Sequence, residues 1–218
     1  MSEDQKLQQR VIEELEYDPA VDPAHIGVSA RNGVVTLSGH VASAMERKLA
    51  ELAVRRVKGV KALAMEVRVD VPAQKKLADD EIAGRAVQIL QWALHLPEGA
   101  VQVTVQGGYV TLTGSVMHDF QRRQATECVY QLGGVRGVEN RIGLTPRPVV
   151  PDVRSRIRNA LERSADVDAS GIEIEIADGG RAVLRGRVRS LHEQIVAENA
   201  ALSAPGVSQV ENHLNVVG

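Results

Sequence analysis

Apolar and polar positions along the chain follow two rhythms, one of about four residues and one of two, which exchange places in the same order three times. Leu7, Val11 and Leu15 recur four apart, the spacing of one helical face, and Asp18-Pro19 stops that run. Ile26, Val28 and Ala30 then alternate as a half-buried strand does, and Asn32-Gly33 supplies the pair that a tight hairpin turn needs. The returning stretch, VVTLSGHV, puts Val35, Leu37, Gly39 and Val41 on one face and Thr36, Ser38 and His40 on the other. From Ser43 to Lys58 the rhythm is helical again, with Met45, Leu49, Leu52, Ala53 and Val57 predicted inward and Gly59 placed as the C-terminal cap. Leu63, Met65, Val67 and Val69 form a third strand. A helix between the second and third strands implies a crossover, so these two are predicted parallel and the hairpin antiparallel.

The order repeats. The second copy runs through Ile82, Ala86, Ile89 and Leu90, then Val101, Val103 and Val105, a Gly107-Gly108 turn, YVTLTGSV, a helix carrying Phe120, Ala125, Cys128, Val129 and Leu132, and a strand from Val138 to Leu144. The third has Val153, Ile157, Ala160 and Leu161, then Ile172, Ile174 and Ile176, a turn one residue longer at Asp178-Gly179-Gly180, and AVLRGRVR. Its second helix, with Ala197, Ala200, Ala201 and Ala204, is slim enough for close approach to its own sheet or to a neighbouring copy. Gly39, Gly114 and Gly186 hold one place in the three copies, a bulge or a close helix approach. Gly59, Gly134 and Gly206 follow at a fixed distance.

The predicted class is α+β: three tandem αββαβ modules, residues 1–71, 76–145 and 150–218, each a three-stranded mixed sheet packed against two helices. A unit of about 70 residues buries only roughly 60% of the surface its unfolded chain exposes, so the modules are expected to lean on each other. The second linker, from Thr145 to Pro151, has three prolines and reads as extended and stiff, holding modules two and three at a defined distance.

Aromatic residues make up only 2% of the chain, so the cores must be aliphatic. The formal charge of −2 divides as −1, +1 and −2 over residues 1–73, 74–148 and 149–218. No module is basic, and a nucleic-acid partner is not expected, since such binding draws on several cations. The only cysteine, Cys128, is read as a small buried apolar side chain. The N-terminus lacks a basic and apolar leader, and no window nears 18 apolar residues. The expected location is cytoplasmic, or periplasmic only if a leader was removed.

Three candidate sites emerge. Arg185, Arg187 and Arg189 alternate on one strand face, a row suited to phosphate or carboxylate, or else one neutralised across the strands by Glu173 and Glu175. Arg55, Arg56, Lys58 and Lys61 cluster at a helix C-terminus, where cations complement the dipole and can also meet an anionic surface. Trp92 falls off the Ile82/Ala86/Ile89 stripe, and packing between copies is expected for it, with a membrane or protein interface as the other reading. His118-Asp119 and His192-Glu193 read as matching helix starts. The six histidines are scattered, and no zinc spacing, nucleophile elbow or phosphate-binding loop is present, so no catalytic, metal or cofactor site is expected.

Each copy resembles a BON domain, the bacterial module named for osmotic-stress and nodulation proteins. The likeness rests on the first helix ending near Asp18-Pro19, the I-x-V start at Ile26 and Val28, the V-x-L-x-G strand, and tails such as GVRGVENRIGL from Gly134 and GVSQVENHLNV from Gly206. Two departures stand out: Met65 where the other tails have Asn140 and Asn212, and Arg185 where the other strands have Ser38 and Thr113. The resemblance implies a non-catalytic module that binds phospholipid headgroups or a membrane surface in bacterial stress response or envelope maintenance. The alternative is a cytoplasmic protein-interaction scaffold or self-associating homo-oligomer.

Overall fold

The computed structural model describes residues 2–72, 77–94, 97, 99–145, 152–164, 166–177 and 179–217. Module 1 runs α1 (Glu3–Tyr17), β1 (Ile26–Arg31), β2 (Val34–Val41), α2 (Ala44–Arg56), β3 (Ala62–Val69). Module 2 runs α3 (Asp79–Leu94), β4 (Val101–Gln106), β5 (Tyr109–Val116), α4 (Asp119–Tyr130), β6 (Gly137–Leu144). Module 3 runs α5 (Val153–Glu162), β7 (Ile172–Ala177), β8 (Arg181–Val188), α6 (Leu191–Leu202), β9 (Gln209–Val216). The fold is α+β: each module is a three-stranded mixed sheet in sequential order with two helices. The hairpin strands are antiparallel and the crossover strands parallel. Of the linker Thr145–Pro151, all but Thr145 lies outside the described residues.

The helix starts follow from local chemistry. Ser2 and Gln5 form the capping box of α1, and Ser43 and Ser190 cap α2 and α6 through the amides of Glu46 and Glu193. The expected inner faces of α1, β2 and β5 are buried except at the exposed glycines Gly39 and Gly114, with Leu7, Val11 and Leu15 packed on Val35, Leu37 and Val41. The face of α2 is rotated from expectation: Ala44, Ala50, Ala53 and Val54 are buried, while Met45, Leu49 and Leu52 are half-buried. The cause is that α2 touches α1, β2 and β3 of its own module and α6 of module 3, and small residues let it lie close to all of them. Phe120, expected inward, is 55% exposed; it lies outside the stripe that carries Ala125 and Val129.

The repeated strand glycines mark a close backbone approach and no bulge; in modules 1 and 3 the approaching carbonyl ends a short 3-10 helix, Pro23–His25 or Ala169–Gly171. Gly39, Gly114 and Gly186 have φ of 116°, 118° and 132°. A Cβ at each would fall on the carbonyl oxygen of His25, Ala100 or Gly171, at the end of the segment leading into the first strand. The contact seats the start of one hairpin strand on the middle of the other, and no side chain fits between.

The modules close into a ring. Ala44, the first residue of α2, is buried in the core of module 2. Asp119, the first residue of α4, faces Leu202–Val207 at the end of α6 across a groove of about 190 Å³. Leu191, the first residue of α6, is buried in the core of module 1, and Val216 packs there too. Tyr130 at the end of α4 sits within the field of Glu51 and Arg47 on α2. One contact is thus used three times in one rotational sense and returns from the third module to the first, a closed pseudo-threefold arrangement. The N-terminus of each second helix abuts the C-terminus of the next, aligning opposite ends of the helix dipoles. The slim α6 approaches a neighbouring copy as well as its own sheet.

The matched-start reading of His118-Asp119 and His192-Glu193 is corrected. His118 is the N-cap of α4 and Asp119 its first residue, whereas Glu193 is the third residue of α6. Asp119 therefore occupies the ring-contact position, and Glu193 the capping position that Gln121 fills in α4.

Replacing Gly39 or Gly114 by alanine is expected to cost at least about 2 kcal/mol, through backbone strain plus the blocked approach. Gly84→Ala, in α3 with nothing near its would-be Cβ, is expected to gain about 0.5–1 kcal/mol. Urea unfolding of the three variants checks both signs.

Candidate functional site

The arginine row of module 3 lies on the outer face of its sheet. Arg185 pairs with Glu175 at 2.6 Å, and Arg181, at the start of β8, pairs with Glu211 at 2.8 Å. Val183, between them, is only 5% exposed and lies in register with Glu175 and Glu211. Arginine stems two residues to either side are long enough to cover such a side chain while their charged heads stay in water. Arg187 is exposed and forms no ion pair among the described residues. Arg189 stands past the end of β8, 3.6 Å from both Asp168 and Glu193, so it joins the start of α6 to the loop before β7. Hydrogen bonds from Ser170, and then the Arg189 charge, hold the Asp168 carboxyl below its usual range.

The second basic cluster divides. Arg55 pairs with Glu51 at 2.9 Å, and Arg56 binds Glu14 at 2.9 Å and lies 3.8 Å from Asp18, tying α2 to α1. Lys58 and Lys61 are exposed and form no ion pair among the described residues. They join two cations that sequence reasoning missed. The Lys61 side chain lies over Gly33 at the hairpin turn, and Arg10 of α1 reaches Gly59; Arg31 directly precedes the turn. Arg10 and Arg31 belong to different elements, far from Lys58 and Lys61 in sequence, so no linear run announces the patch.

The same turn in module 2 is occupied. The backbone N–H groups of Gly107 and Gly108 donate to the Asp79 carboxylate at 2.7 and 2.9 Å. Both glycines have positive φ, 58° and 81°, as do Asn32 and Gly33 at 52° and 81°. Successive amides in such a turn point to one side and form an anion-binding concavity.

Trp92 is 88% exposed on α3, which overturns the expectation that it packs between copies. Two residues from Leu90 and from Leu94, it points away from the face that those residues bury. Tyr17, 86% exposed, holds the same place at the end of α1. Tyr109 and Phe120 are exposed too, so four of the five aromatic rings lie on the surface; Tyr130 alone is half-buried, donating to the Val138 carbonyl at 3.4 Å. Burial and the nearby Glu51 carboxylate push its hydroxyl pKa up. Burial, with Glu127 beside it, also raises the pKa of the half-buried Cys128 thiol, the opposite of what a reactive cysteine needs.

Asp119 is nearly fully buried and lies 2.7 Å from Arg122 and 2.9 Å from Arg123 on its own helix. These contacts lack hydrogen-bond alignment; the pairing is chiefly one of charge. Asn140 clamps β6 to α4, donating to the Arg122 carbonyl at 2.7 Å and Thr126 Oγ1 at 2.6 Å and accepting from the Ile142 amide at 2.9 Å. Asn212 does likewise in module 3. In module 1 Met65 fills that place with apolar packing, and Arg47 bonds the Val67 carbonyl at 3.1 Å. The departure at Met65 thus changes the fastening and leaves the fold. His25 and His40 stack 4.7 Å apart beside Asp22, Glu46 and Asp70. No group of three or more metal-ligating side chains converges among the described residues.

Three αββαβ modules in a ring, with basic and aromatic side chains outside and aliphatic cores within, define a tandem α+β repeat protein. The chain belongs to the BON domain family, whose model matches residues 3–70, 78–146 and 150–218. No curated protein matches it. Among solved structures it is similar to the C-terminal domain of CdsD, the structural protein of the Type III secretion system of Chlamydia trachomatis, at 14% identity and TM-score 0.27, over 97% of this chain and 98% of that one. A second CdsD structure gives the same identity and TM-score over 97% and 92%.

Glu51 links this surface to pH. Burial raises its pKa, but Lys48 and Arg55 outweigh that, and the net shift is downward. Its contribution is therefore present above the unfolded value of about 4.3 and lost as pH falls through the lowered folded value. Glu51→Gln is expected to cost about 0.5–1 kcal/mol near neutral pH, with the gap from wild type closing in acid. Thermal melts of both proteins from neutral pH to about pH 3 check this.

Proposed function

We propose that this protein is a non-enzymatic binding protein that docks peripherally on anionic phospholipid surfaces through Trp92 and Tyr17. The carrying observation is the placement of its aromatic rings: scarce in the sequence, all but Tyr130 lie exposed outside the cores, and the two most exposed hold equivalent positions at the ends of α1 and α3. Positions related by a rotation lie at one height along its axis, so the pseudo-threefold ring carries Tyr17 and Trp92 at one level, with Arg163 at the third place. Trp and Tyr favour the interface between headgroups and hydrocarbon, and a nearby cation favours anionic lipid. Family membership supports a binding role. Outward Arg187, without an ion pair among the described residues, is the further cation of this reading, while its neighbour Arg185 is already paired to Glu175. Among the described residues no helix is long and apolar enough to cross a membrane.

A second reading, a protein-interaction scaffold, draws on Met117 and Phe120, both more than half exposed at the groove between modules 2 and 3. Phe120→Ser would then remove a partner without touching lipid binding.

Sedimentation with vesicles of phosphatidylglycerol and phosphatidylcholine tests the proposal. Trp92→Ala is expected to weaken binding roughly tenfold, about 1.4 kcal/mol, and adding Tyr17→Ala to remove it. Equal binding to pure phosphatidylcholine, or no binding at low salt, would rule the reading out.

A further inference from the structure

We propose that the hairpin turn of module 1 is a phosphate-binding site, made by the amides of Asn32 and Gly33 and by Arg10, Arg31, Lys58 and Lys61. In module 2 the equivalent turn holds an anion that the protein supplies, the Asp79 carboxylate, on two backbone amides at 2.7 and 2.9 Å. Module 1 has the same turn, with φ of 52° and 81° at Asn32 and Gly33. Asp4 holds the place of Asp79, yet it makes no hydrogen bond or ion pair among the described residues, and the amides of Asn32 and Gly33 likewise have no partner among them. The concavity is therefore built but unoccupied by the chain.

What surrounds it also differs. Lys61 lies over Gly33, and Gly33 accepts the Lys61 amide at 2.8 Å, which fixes that lysine beside the turn. Arg10 reaches the neighbouring Gly59, Lys58 precedes Gly59, and Arg31 precedes Asn32. None of the four forms an ion pair among the described residues; Glu3, already paired to Lys6, feels Arg10 only at longer range. The corresponding residues of module 2 are Arg85, Gln106, Gly133 and Arg136, and Arg85 faces Glu81 at 3.8 Å. Module 2 thus keeps a carboxylate and fewer cations, and module 1 keeps the cations and leaves the amides open. Two neighbouring amides with Lys61 and Arg10 beside them, and with Lys58 and Arg31 next in the chain to Gly59 and Asn32, suit a compact dianion with several acceptor oxygens, a phosphate monoester, better than a single carboxylate.

A phosphate monoester has two sources, a free phosphate compound or a phosphatidic acid headgroup, and the second rests on the membrane-surface reading above. The site adjoins the amino-terminal half of α1, whereas Tyr17 ends that helix, so variants at one leave the other intact.

The full chain, labelled with nitrogen-15, is titrated with inorganic phosphate at low salt. The Asn32 and Gly33 amide signals are expected to move saturably, with Gly107 and Gly108 unmoved. Lys58→Glu with Lys61→Glu, both exposed and so compatible with folding, is expected to weaken that response at least roughly tenfold. Still Asn32 and Gly33 signals, or a linear drift matched by chloride at equal ionic strength, would overturn the site. Phosphatidic acid vesicles that compete with phosphate, and lose that competition in the double variant, identify the headgroup as the source. Phosphate binding without vesicle competition identifies a free phosphate. Vesicle binding that depends on Trp92 but ignores the double variant, with no phosphate response, defeats this site and leaves the membrane reading standing.

Discussion

The structure depends on the head-to-tail contact of α2, α4 and α6. A module of about 70 residues has little interior to spare, and each one here completes its burial with the first residue of a neighbour's second helix. Ala44 and Leu191 do this as apolar plugs in the cores of modules 2 and 1. Asp119 does it as a charge, held by two arginines of its own helix, and beside it lies the groove of about 190 Å³. The same geometric role thus yields two dry joints and one polar joint. Because the third module returns to the first, loosening any one joint removes burial from two modules.

Much of the fold was legible because short-range rules and long-range packing agree. The alternation in β1 and β2, the turn pair Asn32-Gly33 and the helical stripe of Leu7, Val11 and Leu15 each point to one element, and the repeat multiplies that agreement by three. The errors fall where a residue answers to another module. Met45, Leu49 and Leu52 read as the inner face of α2 only if the helix has one sheet to face, and α6 adds a second front. Trp92 and Phe120 read as packing residues because large apolar side chains usually go inward; here aliphatic residues fill the space and these two rings stay outside.

The candidate site was less legible, because a surface patch is assembled from places that share no period. Arg55, Arg56, Lys58 and Lys61 look like one cluster in sequence, yet Glu51, Glu14 and Asp18 neutralise the first two and leave the others to join Arg10 and Arg31. The arginines of β8 were readable as a row, since strand alternation is local, and so was the neutralisation of Arg185 from the paired strand, whereas Arg187 has no ion pair among the described residues. The acceptor for Arg185 is Glu175, diagonal to it, in place of Glu173 opposite.

Repetition within one chain also separates what the fold demands from what it permits. Every module keeps a glycine where a Cβ would meet the backbone carbonyl before the first strand, so that contact belongs to the architecture. Asn140 and Asn212 fasten the last strand to the second helix, but Met65 with Arg47 does so by other means, so the fastening is required and its chemistry is not. The tip of the hairpin goes furthest: module 2 ties it to its own first helix through Asp79, while module 1 surrounds it with cations. A turn that one module closes internally and another leaves open is stable in both states. Binding at that tip is therefore free to differ between modules without cost to the ring.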